Sequence, residues 1–256
     1  MAEILLNPGR FLVGALVLLG GLQVLSEALT NRQMPYSRGM GLAMHSPKLW
    51  APWLIPGGLF VMATLAWVVD FHPFLSGLGV LTMVLWWRRV DQRGWPEGEV
   101  KRLGQYSPAA GVLLVLLVGR AVHEIFGVGG PELGWHLAAG VLAYSWTICG
   151  VNKLRQSGIA WAGSKNMALL LAERSTVGPL IQIRLRRWLM NRPGWLRFLG
   201  WSGLGIELAG VLFCIPELRL AFSIGLVFFF AFNFLVWGFI ELEWALIFLA
   251  VALGGS

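Results

Sequence analysis

The stretch Phe198–Cys214 has the sequence FLGWSGLGIELAGVLFC, an apolar run that contains a single charged residue, Glu207. A run without alternation of apolar and polar residues favours a helix over a half-buried strand. Because roughly 20 apolar residues are enough to cross a bilayer, the surrounding segment Arg197–Ile215 predicts a membrane span. At 1.5 Å per residue, Glu207 would lie roughly 13–15 Å inside that span. An ionisable group at such depth is costly to bury, which makes Glu207 a candidate functional residue.

Comparable apolar runs occupy most of the chain. The mean hydropathy is +0.68 and 13% of the residues are charged, against about 25% in a typical soluble domain. The other predicted spans are Phe11–Thr30, Leu49–Val69, Pro73–Trp87, Pro108–Val128, Pro131–Val151, Leu220–Trp237 and Gly238–Leu253. Glu241 and Glu243 interrupt the last run, so a short or re-entrant helix is expected there. The sequence therefore predicts an all-α polytopic membrane bundle of about eight transmembrane segments, forming one domain over residues 1–256.

The basic residues are concentrated in three of the predicted loops. These loops, which follow the first, third and fifth spans, hold 17 of the 20 Lys and Arg residues. Cytoplasmic loops are rich in Lys and Arg, so we expect these loops in the cytoplasm and the N-terminus outside. The expected location is a bacterial inner membrane, an expectation that does not come from the charge bias. The same bias accounts for the net charge of +7. The expected partner is therefore the lipid bilayer and not nucleic acid.

Residues 164–196 are too polar for a span and predict an amphipathic, interfacial helical segment. Ser164 can cap a first helix. After Pro179, the sequence IQIRLRRWLM mixes apolar side chains with three arginines. That pattern is typical of a helix lying on a membrane surface, and a surface anchor is its expected role.

Several polar groups are predicted at a similar depth in the cytoplasmic half of the bundle. Besides Glu207 they are Lys153, Asn233, Tyr106 and Glu27, which come from four other spans. Taken alone, Lys153 is most simply a lysine at a helix end whose amine extends to the membrane surface. A lysine held among apolar groups can instead act as a base.

A second set of polar residues is predicted at the opposite membrane face. Its members are Asp70, His72, Arg120, His123, Glu124 and His136. Arg120 and Glu124 are four residues apart on one predicted helix, so a plain ion pair accounts for both. The three histidines are weak candidates for a metal or haem site, because they lack a diagnostic spacing. A haem- or metal-bearing electron-transfer protein therefore stays among the alternatives.

The stretch Gly150–Gly163, with the sequence GVNKLRQSGIAWAG, resembles the G-x-x-K-L turn of the vitamin K-dependent gamma-carboxylase-like family, also called HTTM domain proteins. In that family a tryptophan follows the turn, as Trp161 does here. The second half of the chain is also similar, with a glutamate in one span, an arginine in the next turn and a polar residue in the following span. These positions fall on Glu207, Arg219 and Asn233, and Asn233 stands where the family has a histidine. DoxX-like membrane proteins carry a G-x-x-K-L turn as well.

The resemblance implies an enzyme that acts on a quinol or another lipid-soluble substrate. Lys153 would be the catalytic base that deprotonates a hydroquinone, with Glu207 as a second catalytic residue. Asn233, Tyr106 and Trp161 would bind the substrate, and Tyr106 is the candidate for the place of a second family histidine. A quinone or hydroquinone is the implied cofactor. The DoxX-like resemblance leaves a different alternative open, which is a non-catalytic subunit packed against partner chains of a larger membrane complex.

Overall fold

The computed structural model of the chain describes residues 8–16, 81, 108–173, 179–237 and 242–255. These ranges are almost entirely helical and contain no strand, which confirms the prediction of an all-α protein. The chain divides into two compact units. One comprises Met1–Ala138 with Leu253–Gly255, and the other comprises Ala139–Ala252 with Ser256.

Seven helices of ten or more residues occur from residue 108 onward in the described part of the chain. Two of them are followed by short 3-10 segments, Gly158–Ala162 after α2 and Ala209–Cys214 after α5. The helices are α1 (Pro108–Phe126), α2 (Leu133–Ser157), α3 (Ser164–Glu173), α4 (Leu180–Met190), α5 (Pro193–Leu208), α6 (Pro216–Trp237) and α7 (Leu242–Gly254). Residues 8–16 are also helical.

In the first unit, α1 packs against the start of α2 through two glycines. A Cβ atom on Gly134 would lie 3.0 Å from the Leu116 carbonyl oxygen, and a Cβ on Gly119 would overlap the backbone of Gly134. Small residues at such a contact let two helix backbones approach closely. On α1, Arg120 Nε donates to Glu124 Oε1 over 2.6 Å, which confirms the predicted ion pair.

The second unit has two cores. One joins α3, α4, α5 and α6 through the buried side chains Met167, Leu171, Leu189, Leu196, Leu199 and Val236. The other is aromatic and is centred on Trp146 of α2, whose ring centroid lies 5.4 Å from that of Phe230 and 5.9 Å from that of Phe248. Offset and edge-on ring contacts of this kind add to the free energy gained by burying apolar area.

Two described helical segments are long and apolar enough to cross a membrane, Pro193–Cys214 and Pro216–Trp237. They correspond to the sixth and seventh predicted spans. The count of about eight spans is not supported by the described residues. One reason is that α2 carries polar residues along its length, and another is that α7 has only 13 residues, about 20 Å of helix. The first three predicted spans lie almost wholly outside the described residues.

The structure corrects the predicted position of Lys153. The fifth span was expected to end at Val151, but α2 continues to Ser157, so Lys153 lies inside a helix. The turn comes later, at Gly158, whose φ of +56° is a conformation that favours glycine. Helix α4 begins directly after Pro179, which confirms a helix in the predicted amphipathic segment.

Gly200 is expected to tolerate no side chain, since α5 contacts the 3-10 segment there. A Cβ on Gly200 would lie 2.5 Å from the Ala162 carbonyl oxygen and 2.7 Å from its Cα. Overpacking against backbone typically costs about 1–3 kcal/mol, so Gly200→Ala should lower the midpoint of thermal unfolding in detergent. Gly203→Ala is the matched control, because nothing lies within 4 Å of its Cβ position. Equal midpoints for the two variants would contradict the close contact.

Candidate functional site

Lys153 and Glu207 form an ion pair between α2 and α5. The Lys153 Nζ donates to Glu207 Oε1, and the two residues are 54 apart in the sequence. The Glu207 side chain is 13% exposed and that of Lys153 is 30% exposed. The structure therefore brings together the two residues that the sequence singled out as catalytic candidates.

Two glycines hold α2 close to the end of α5 and so position this pair. A Cβ on Gly150, one turn before Lys153, would lie 3.1 Å from Glu207 Cβ. A Cβ on Gly210 would lie 2.9 Å from Thr147 Oγ1. Along the same contact, Trp146 Nε1 donates to the Ile206 carbonyl oxygen over 3.1 Å. The acid thus comes from one helix and the amine from another, and the hydrogen bond from the Trp146 side chain to the Ile206 carbonyl oxygen fixes their register.

The Trp161 ring is the third group at this site and lies beside the Lys153 amine. The Nζ atom lies 4.3 Å from the centroid of the Trp161 ring, within the range of a cation–π interaction. Asn166 Nδ2 donates to the Trp161 carbonyl oxygen over 2.8 Å, which ties the 3-10 segment to α3. The Lys153–Glu207–Trp161 site therefore consists of a cation held between a carboxylate and an indole ring.

The second carboxylate oxygen of Glu207 has no hydrogen-bond partner in the described part of the chain. Oε2 is buried, and Thr147 Oγ1, on the same contact between α2 and α5, is buried without a partner as well. Buried polar atoms are usually hydrogen-bonded, and each exception requires an explanation. Oε2 is thus a buried acceptor beside a cation, with its capacity to accept a proton or a hydrogen bond unused.

The other predicted substrate-binding residues are not brought to this site by any observed contact. Asn233 is partly buried on α6, and it forms no hydrogen bond with Lys153 or Glu207. Tyr106, Glu27, Asp70 and His72 lie outside the described residues. Their predicted roles stay predictions.

The two described histidines of the second polar set make local contacts. His123 Nδ1 lies 2.7 Å from the Gly129 carbonyl oxygen, and His136 Nε2 lies 3.9 Å from Glu132 Oε2. Across the described ranges, no three His, Cys, Asp or Glu side chains are close enough to hold a metal ion.

A pair of polar residues on α4 was missed at the sequence level. Arg186 and Gln182 are 1% and 5% exposed, although the sequence predicted the arginines of α4 on a membrane surface. Arg186 Nε donates to the Val236 carbonyl oxygen over 2.5 Å, and Gln182 Nε2 donates to that of Phe234 over 3.0 Å. The Arg186–Gln182 clamp therefore satisfies carbonyl groups in the last turn of α6, which have no partner within their own helix.

Arg219 is also buried, in the first turns of α6, and its Nε donates to the Phe213 carbonyl oxygen over 3.1 Å. The resemblance placed it in a turn between two spans. The observed contact instead joins α6 to the 3-10 segment that follows α5. Its geometry supports a structural role in that connection.

The chain matches no known protein family, and no curated protein or solved structure is significantly similar to it. The resemblance of Gly150–Gly163 to the carboxylase-like family therefore rests on the motif alone.

Proposed function

We propose that this chain is an integral membrane enzyme that deprotonates a quinol or another lipid-soluble hydroxyl compound at the Lys153–Glu207–Trp161 site. Its place would be a bacterial inner membrane, with the basic loops in the cytoplasm and the N-terminus outside. The observation that carries the proposal is the buried Glu207 Oε2, which has no partner among the described residues and lies beside the Lys153 cation.

The two residues of the ion pair are suited to different chemical roles. An ammonium group donates hydrogen bonds and cannot accept a proton, so Lys153 in its paired state is not the acceptor. The substrate O–H bond would break and its proton would pass to Glu207 Oε2. The Lys153 cation would then offset the negative charge left on the substrate oxygen, as preorganised charges do in other enzymes. Deprotonation of the substrate thus requires both residues of the pair, and Lys153 alone does not suffice for it.

The neighbouring aromatic group fits a flat, apolar substrate. Part of the Trp161 side chain is exposed, and an indole can stack on an aromatic ring. Asn233 and Tyr106 are proposed as further substrate contacts, as the family resemblance implies. A hydroquinone satisfies both requirements, namely an aromatic ring and an acidic hydroxyl group.

The runner-up is a non-catalytic subunit of a larger membrane complex. This alternative is supported by exposed apolar side chains on α6, where Phe228 is 72% exposed and Leu235 is 49% exposed. Such a surface suits lipid tails or the helices of a partner chain. In this alternative the Lys153–Glu207 pair only joins α2 to α5.

The proposal is tested by binding of a soluble short-chain naphthoquinol to the full-length protein in neutral detergent. Glu207→Gln should weaken binding about tenfold or more, because a hydrogen bond to a charged group contributes about 1.5–3 kcal/mol. Arg155→Gln is the control, since it removes an exposed charge two residues from Lys153 and should leave binding unchanged. Mass spectrometry of a lipid extract from the purified protein is the second measurement. Absence of any bound quinone, together with equal affinity in both variants, would refute the proposal and leave the subunit alternative.

A further inference from the structure

Helix α4 presents its two sides to very different surroundings. The side that carries Gln182, Arg186 and Leu189 is buried. The opposite side is exposed and consists of Leu180, Ile181, Arg184, Arg187 and Trp188. We call this set the α4 outer face. Each side of α4 therefore mixes polar and apolar groups, with the clamp beside Leu189 on the buried side and two arginines beside large apolar groups on the exposed side.

The α4 outer face combines apolar side chains with positive charge. Leu180 is 72% exposed and Ile181 is 73% exposed. No Asp or Glu occurs between Pro179 and Ile206, whereas this stretch contains five arginines. The Arg192 guanidinium lies 4.7 Å from the centroid of the Trp188 ring. Exposed apolar groups beside a cluster of cations match a surface that is both anionic and partly apolar.

The position of α4 in the fold points to the same environment. The clamp attaches α4 to the C-terminal end of α6, at Phe234 and Val236. Its own C-terminus at Met190 is followed almost at once by Pro193, where α5 begins. One end of each candidate membrane span therefore lies at α4. In a bilayer, those ends are at the level of the lipid headgroups.

We propose that the α4 outer face binds the anionic headgroups of the surrounding bilayer. Arg184 and Arg187, three residues apart on one side of the helix, would contact lipid phosphates, which a guanidinium can bind through two parallel hydrogen bonds. Trp188, Leu180 and Ile181 would enter the boundary between headgroups and acyl chains, where amphipathic helices bury their apolar side. This inference uses the membrane location in the proposed function but not the chemistry at Glu207.

The test is native mass spectrometry of the full-length protein in neutral detergent. The protein is titrated with short-chain phosphatidylglycerol and, separately, with phosphatidylcholine of the same chain length. We expect a preference for phosphatidylglycerol. Arg184→Gln combined with Arg187→Gln should weaken phosphatidylglycerol binding about 30-fold, because each cation near an anionic lipid surface contributes about fivefold. Both side chains are exposed, so the double variant should fold.

The control removes the same charge elsewhere in the second unit. Arg155→Gln combined with Lys165→Gln, at two exposed positions, should leave the preference unchanged. Glu207→Gln should also keep it, so that a failed quinol test and a failed lipid test can be told apart. Equal affinity for the two lipids would overturn the inference, as would equal losses in the two double variants. Displacement of phosphatidylglycerol by inorganic phosphate alone would assign a simple anion site and would overturn it too.

Discussion

Arg186→Ala is expected to lower the free energy of unfolding by about 2–6 kcal/mol, because two buried acceptors lose their donor at a cost of roughly 1–3 kcal/mol each. The guanidinium is 1% exposed and donates both to the Val236 carbonyl oxygen and to Gln182 Oε1, over 2.5 Å and 3.0 Å. Its loss leaves buried acceptors without donors and also opens a cavity. It further removes a cation from a helix C-terminus, where positive charge is favourable. Denaturant titration of the protein in mixed micelles measures the change.

The neighbouring residue supplies the control. Arg187 is on the exposed side of the same helix, so Arg187→Ala removes the same side chain without breaking the clamp. A surface substitution of this kind usually changes stability by no more than about 0.5 kcal/mol. If the two variants were equally stable, α4 would not be attached to α6 through Arg186.

Lys153→Met is expected to cost about 3 kcal/mol of folding stability, the lower end of the range for breaking a buried ion pair. The lower end applies because the Lys153 side chain is 30% exposed, so solvent screens part of the interaction. The variant leaves the Glu207 carboxylate buried without its cation, and it also removes the contact with the Trp161 ring. The same denaturant titration measures the loss.

The double variant Lys153→Met with Glu207→Leu separates a structural pair from a functional one. Replacing a whole buried ion pair with apolar residues of similar size is often neutral or stabilising, so its stability should return to within about 1 kcal/mol of the unaltered protein. Naphthoquinol binding should nevertheless be lost. A stable double variant that binds the quinol normally would show that the pair only joins α2 to α5.

The all-α class was predictable from the sequence, whereas several helix bounds, such as the end of α2 at Ser157, were not. The continuous apolar runs predicted α5 and α6, because they are longer than the roughly 4–8 residues of a fully buried strand. A helix after Pro179 was predicted from the mixture of apolar and basic residues there, and α4 begins directly after that proline. The count of about eight spans is not supported by the described residues, because apolar length alone does not separate a span from a short or interrupted apolar helix such as α7.

The tertiary structure alone decided which polar groups meet. Glu207 and Lys153 were each identified from their apolar surroundings, but their pairing across 54 residues depends on the close approach of α2 and α5 at Gly150. Arg186 and Arg187 are adjacent residues of the same type, yet Arg186 is buried and Arg187 is exposed. Helical periodicity separates their directions by about 100° without indicating which direction is inward. Arg186 is the buried one because it binds a carbonyl group at the end of α6. Every helix ends in such carbonyl groups whatever its residues, so the sequence does not indicate this contact.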